Sequence, residues 1–316
     1  MKTMVRLGLI LFAVVAVTIV VLIVINWVPD RPVSALVGRW ATPPSQFLDV
    51  GGLKVHLRDE GVVSDAVPII LIHGTSSSLH TWDGWVPHLG GTRRIVTFDL
   101  PGFGLTGPSP DANYTMDAYV VFIGNLLKAL DIKRCVLGGN SLGGNVAWET
   151  ALAMPDRVEG LILVDAGGYP FKSASIPMGF RLARIPVLNR LMENILPRSL
   201  IEASLRNVYG DPSKVTADTV DLYFDMAVRA GNRRALLRRF QQSDFGAHAD
   251  RIATLRTPTL ILWGGRDQLI PPSNAERFHH DIEGSELVTF PELGHVPQEE
   301  NPVQSVAAAK AFLNKR

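Results

Sequence analysis

The run Gly138-Gly139-Asn140-Ser141-Leu142-Gly143-Gly144 constrains this chain more than any other feature. It follows residues 134–138, which read as a buried strand, and precedes a helical pattern over residues 143–154. A serine on so tight a strand-to-helix turn takes a strained backbone, and Gly139 and Gly143 let strand and helix approach closely. The turn also sets Ser141 at a helix N-terminus, where free N–H groups and the helix dipole favour a developing negative charge. A glycine-rich turn can also carry an idle serine, so reading Ser141 as a nucleophile depends on its partners.

A serine hydroxyl needs a base, and the base needs an orienting carboxylate. Leu262-Trp263-Gly264-Gly265-Arg266-Asp267 places a carboxylate just beyond a strand-like run, where α/β sheets put their ligands. Leu293-Gly294-His295-Val296-Pro297 places a histidine in the loop after the strand-like residues 286–290. Singly, Asp267 reads equally as a turn cap and His295 as a surface loop residue. Their order, Ser141 then Asp267 then His295, and their positions at strand ends argue for a nucleophile, an orienting acid and a base.

The rest of the chain alternates between two periodicities. Strand-like runs at 46–50 and 53–58 flank Gly51-Gly52 as a hairpin, and others follow at 68–72, 94–98, 158–164 and 259–263. Helical patterns lie at 116–130 and 272–280, and Asn301-Pro302 supplies the N-cap and first position of a last helix. This alternation predicts an α/β fold with a mainly parallel sheet and helices on both faces. Residues 169–250 break it, reading as helices punctuated by Pro177, Pro186, Pro197 and Pro212, an inserted helical lid. The expected organisation is a core of 46–168 and 251–316, the lid at 169–250, a proline-rich extended linker at 29–45 and an N-terminal segment at 1–28.

That N-terminal segment carries no charge from residue 7 to residue 28, and only Thr18 and Asn26 are distinctly polar. As a helix it would reach about 33 Å, enough for a hydrocarbon core of roughly 30 Å. Trp27 sits where an interfacial aromatic anchor would. The reading is a single-pass membrane anchor. The alternative is a signal peptide cut near Val33-Ser34-Ala35, although a signal's apolar region is usually shorter, about 7 to 15 residues. Lys2, Arg6 and the amino terminus before the span favour a cytoplasmic N-terminus and an exported domain, on the periplasmic side in a bacterium.

Charge excludes one class of partner. Of the 31 basic residues two lie in the N-terminal segment, leaving 29 against 30 acids, which is no footprint for nucleic acid. The single cysteine, Cys135, reads as a small buried hydrophobe, and the Cys/His spacings of metal sites are absent from the sequence. No cofactor and no metal are expected, and oligomeric state is not legible.

Four motifs together resemble the α/β-hydrolase superfamily: His73-Gly74 after a strand, Asp99-Leu100-Pro101-Gly102-Phe103-Gly104, the Ser141 elbow, and the Asp267 and His295 loops. The elbow is similar to those of bacterial lipases and esterases, including membrane-anchored monoacylglycerol-lipase-like enzymes, and of meta-cleavage-product hydrolases, which cut carbon–carbon bonds. The resemblance implies an oxyanion hole from the N–H groups of Leu142 and of Thr75, with Ser76 the alternative to Thr75. It implies a supporting role for His73, a turn-forming role for Asp99, and Asp165 as the rival acid. It implies hydrolysis of small acyl or lipid-like esters. The alternatives are carbon–carbon hydrolysis and a non-catalytic binding member. Carbon–carbon hydrolases resemble one another in a lid arginine; Asp221-Leu222-Tyr223-Phe224-Asp225 stands there instead, with Arg206 and Arg229 as possible substitutes. Arg229, Arg233, Arg234, Arg238 and Arg239 read as a solvated helix face or a surface for anionic lipid.

Overall fold

The computed structural model describes residues 2–183, 185 and 193–315. Eight strands form one sheet in the order β1-β2-β4-β3-β5-β6-β7-β8. The hairpin β1 (Gln46–Val50) and β2 (Leu53–Gly61) is antiparallel, and β2 runs antiparallel to β4 (Arg94–Phe98). Every other pairing is parallel, through β3 (Ile69–Ile72), β5 (Cys135–Asn140), β6 (Val158–Val164), β7 (Thr259–Gly264) and β8 (Glu286–Phe290). The uninterrupted aliphatic runs of β3 and of residues 161–164 in β6 follow from this position, since a central parallel strand is covered on both faces.

Helices fill those faces. The helix α2 (Met116–Ala129) starts at Thr115, whose side chain accepts the Ala118 N–H, and α3 (Leu142–Ala153) follows Ser141 directly. They pack Phe122, Ile123, Val146 and Trp148 on one face of the sheet. On the other face Trp82, Trp85 and Leu89 meet Phe312 of the last helix (Pro302–Leu313), whose N-cap Asn301 accepts the Gln304 N–H. Between β6 and β7 the chain inserts α4 (Met178–Ala183), α5 (Arg198–Val208), α6 (Ala217–Val228) and α7 (Asn232–Gln241), with no strand among the described residues.

The first helix, α1 (Lys2–Ile25), is long and apolar enough to cross a membrane, and no described residue of its apolar span is buried in the protein. Its polar groups turn inward: Thr18 Oγ1 donates to Val14 O and Asn26 Nδ2 to Leu22 O, each at 2.9 Å. Residues 29–45 depart from an extended linker. They include helical turns at Val33–Ala35 and Val37–Trp40 and dock on the insertion. Val33, Leu36, Val37 and Trp40 recur at i, i+3, i+4 and i+7, and Leu36 is buried with Leu105 and Met226. Arg31 exchanges backbone hydrogen bonds with Val228 and Ala230, and its guanidinium meets Asp225 at 2.7 Å. The prolines stop a continuous helix but leave that apolar face intact.

Candidate active site

Each site residue read from the sequence lies just beyond the carboxyl end of a parallel strand: Thr75 after β3, Ser141 after β5, Asp267 after β7 and His295 after β8. That edge is where an open α/β sheet collects its chemistry. Ser141 has φ 55° and ψ −115°, a left-handed backbone on a non-glycine residue. It is held there from both sides: its N–H donates to Val164 O at 3.0 Å, and its carbonyl accepts from Gly167 and Asn145. A side chain at Gly143 would collide with the Ile72 carbonyl, which is why the motif needs glycine there. The N–H groups of the first turn of α3, beginning with Leu142, have no acceptor within their own helix.

His295 Nδ1 donates to Asp267 Oδ2 at 2.7 Å, in a buried pair. Asp267 Oδ1 accepts the N–H groups of Leu269 and Ile270 at 2.8 and 3.0 Å. With both Asp267 oxygens engaged as acceptors, His295 Nδ1 is the donor of the pair and Nε2 keeps its lone pair. The imidazole loop is tied to the elbow, because Asn140 Nδ2 donates to His295 O at 2.9 Å.

Asp165 is brought into the same cluster, with one ligand-capable atom each of Asp165, Asp267 and His295 within 4.8 Å of one another. It lies behind the pair, fully buried, its Oδ1 accepting the Gly264 N–H at 3.0 Å. Burial, then the neighbouring Asp267 charge, pushes its carboxyl well above the usual range. The hydrogen bond to His295 belongs to Asp267, not to Asp165.

His73 supports the loop after β3. Its Nε2 accepts the Leu100 N–H at 2.9 Å, so Nδ1 carries the proton and donates to Gly74 O at 2.7 Å. Burial holds this imidazole below its ordinary pKa, consistent with the neutral ring. Gly74 lies so close to Ser141 that a Cβ there would stand 3.2 Å from Ser141 Cβ. Asp99 organises the next loop, accepting from His56 Nδ1 and from the N–H groups of Leu79 and Leu105. Burial alone would raise its pKa, but His56 and its neighbours hold it well below the usual carboxylate range.

Thr75, Ser76, Ser141, Leu142 and His295 line one cavity of about 640 Å³. Its wall is mostly apolar, with Phe171, Ile176, Phe180, Leu196, Ile201 and Phe240 contributed by the insertion. Arg206 pairs with Glu202 and Pro212 O, and Arg229 with Thr106 O and Ala230 O; neither lines the cavity. The expected basic face is smaller than the sequence implies. Arg233 and Arg239 are buried, and Arg233 binds Asp30 and Val28 O beside the end of α1. Both line the cavity, as does Lys172.

Sequence reasoning missed the residues that fasten the histidine loop to the insertion. Glu300 accepts the N–H groups of Gly210, Asp211 and Gly294 at 2.8 to 2.9 Å. Glu299 accepts from Tyr209 and Tyr223 hydroxyls at 2.9 and 2.6 Å, and from Thr81. Two adjacent acids one residue beyond His295-Val296-Pro297 were the available signal; partners some ninety positions away are not readable from one chain.

Residues 67–302 match the family described as alpha/beta hydrolase fold, and the chain belongs to that family of hydrolases. It is 29% identical over 275 residues to a 2-hydroxy-6-oxo-2,4-heptadienoate hydrolase from Pseudomonas putida, covering 83% of this chain and 94% of the relative. A meta-cleavage product hydrolase from Pseudomonas fluorescens superposes with a TM-score of 0.74 at 26% identity, over 85% of this chain and 97% of that one. A bacterial membrane phospholipase A has a similar fold, with a TM-score of 0.75 at 24% identity, over 100% of this chain and 99% of that one.

Proposed function

We propose that this protein is a membrane-anchored serine hydrolase that cleaves lipid-like carboxylic esters through an acyl-enzyme. The observation that carries the reading is the buried Asp267–His295 pair beside Ser141, on the wall of one largely apolar cavity. His295 Nε2 takes the Ser141 proton as Oγ attacks the ester carbonyl. The N–H groups of Leu142 and Thr75 hold the oxyanion. The protonated imidazole then releases the alcohol, and a second cycle with water frees the acid. Asp267 keeps the imidazole in one tautomer and stabilises its charge.

The docked segment 29–45 supports an uncleaved anchor. Cutting near Val33-Ser34-Ala35 would remove Asp30 and Arg31, whose ion pairs with Arg233 and Asp225 join the segment to the insertion. Leu196 supports lipid-like substrates: its N–H donates to Asn26 O at the end of α1, and its side chain lines the cavity. On this reading the catalytic domain is exported and the cavity stands beside the bilayer.

A second reading, hydrolysis of a carbon–carbon bond in a dienol ketone, has support from the relatives named above. It also has support from Lys172, Arg233 and Arg239 in the cavity wall, where a substrate carboxylate would meet cationic groups. Assaying the full-length chain in detergent micelles with p-nitrophenyl esters of increasing length, monoacylglycerols and a dienol ketone separates the two. Turnover rising with acyl length is the expected result; turnover of the dienol alone overturns the ester reading. Fluorophosphonate labelling lost in Ser141→Ala tests the nucleophile itself.

A further inference from the structure

We infer that Tyr223, a residue of the insertion, positions the loop that presents the Thr75 N–H to the oxyanion. The inference rests on the serine-hydrolase reading and adds to it a residue outside the reacting groups. Tyr223 lies on α6 and lines the catalytic cavity, as does Ser77. Its hydroxyl stands 2.6 Å from Glu299 Oε1 and 3.0 Å from Ser77 Oγ. A phenol has one proton to give, and Tyr223 gives it to Glu299 Oε1. The Ser77 hydroxyl must then donate to the Tyr223 oxygen. Every member of the chain Ser77–Tyr223–Glu299 thus has one assigned direction.

Ser77 closes the loop in question. Its N–H donates to Gly74 O at 3.3 Å, so the turn spanning Thr75 and Ser76 is held by the Ser77 backbone at its base and by the Ser77 side chain from the insertion. Within this turn Ser76 adopts a positive φ of 61°, a conformation that needs outside support in a non-glycine residue. The far end of the chain is firm as well. Glu299 also accepts from Tyr209 and Thr81, and Gln298 Nε2 donates to Thr81 Oγ1 at 3.0 Å. Glu299 follows His295 by four residues, so one carboxylate ties together the histidine loop, the insertion and the oxyanion loop.

An oxyanion donor works by standing where the charge forms, so a small displacement costs rate and leaves ground-state binding nearly untouched. Tyr223→Phe keeps the ring in the cavity wall and removes only the hydroxyl. In full-length enzyme in detergent micelles, with a p-nitrophenyl ester, kcat should fall about tenfold and KM should stay within about twofold. Inactivation by a fluorophosphonate, which places a tetrahedral oxyanion in the same site, should slow by the same factor. Ser77→Ala should reproduce the loss, and the double variant should be no worse than either single one, since both break one chain. Unchanged kcat in Tyr223→Phe, a change confined to KM, or additive losses in the double variant would each overturn the inference. The wild type separates the two failures. A wild type that does not label at Ser141 removes the serine-hydrolase reading and this inference with it. A labelled wild type with an unperturbed Tyr223→Phe removes the inference alone.

Discussion

The two halves of the insertion are built differently. The half formed by α5 and α6 is bolted to the histidine loop. Val208 O accepts the His295 N–H at 2.7 Å, Glu300 gathers three N–H groups from both sides of the joint, and Tyr209 and Tyr223 reach Glu299. Among the described residues, the half around α4 is joined more lightly. Ser175 N–H donates to Gln268 O, Asn207 Nδ2 donates to Ser175 Oγ, and Phe180 meets Phe240 edge to face at 5.3 Å between centroids. Met178, Ile185 and Phe245 stand exposed on or beside it. The difference teaches that this insertion is not fastened uniformly: among the described residues its α5–α6 half is tied to the loop that carries His295, and its α4 half rests on fewer polar contacts.

The severest way to break this comparison is Glu300→Ala. It strips the acceptor from three backbone N–H groups in a buried joint, and stability should drop by about 3–5 kcal/mol in urea unfolding. Loss of less than about 1 kcal/mol would mean that the joint is not a bolt.

A pH experiment sharpens the picture on the bolted side, where residues 29–45 also dock. His80 Nε2 donates to Trp40 O at 2.9 Å, and burial first of all depresses its pKa to about 4. Between about pH 6.5 and 4 the unfolded chain binds a proton there that the folded chain refuses, so stability falls as pH falls through that window. The contribution is at most about 3 kcal/mol at its lower end. His80→Gln should flatten the pH dependence of the unfolding midpoint there; an unaltered profile would count against the assignment.

The smallest effect belongs to the lightly joined half. Phe180→Ala should cost about 1–2 kcal/mol of stability, and should shift acyl-length preference while leaving fluorophosphonate labelling of Ser141 intact. Lost labelling with retained fold would show that α4 too supports the reacting groups.

What the sequence made legible follows from locality. The elbow glycines, the strand before Ser141 and the helix after it are neighbours in the chain, so their pattern is visible directly. The Asp267 and His295 positions needed only the rule that chemistry collects at strand ends. The joint at Glu300 pairs residues about ninety positions apart, and no local pattern encodes that. Residues 29–45 differ from their local signal for another reason. Their prolines signal a linker, while the i, i+3, i+4, i+7 spacing of Val33, Leu36, Val37 and Trp40 marks the apolar face that docks. The arginines of α7 show the opposite error: a charge run suggests a solvated face, but Arg233 and Arg239 are buried beside carbonyl, carboxylate and aromatic partners.

The docking of residues 29–45 also bears on how the protein meets its surroundings. Trp27 pairs with Ile195, and Val28 and Arg31 continue the contact into the insertion, so no slack chain separates α1 from the folded body. A body mounted this way has a fixed height and a fixed heading above any membrane that holds α1. On the lipid-substrate reading proposed above, its search is then a two-dimensional one with the cavity already aimed, and lengthening the mount by a flexible spacer would convert it into a tumbling, three-dimensional search.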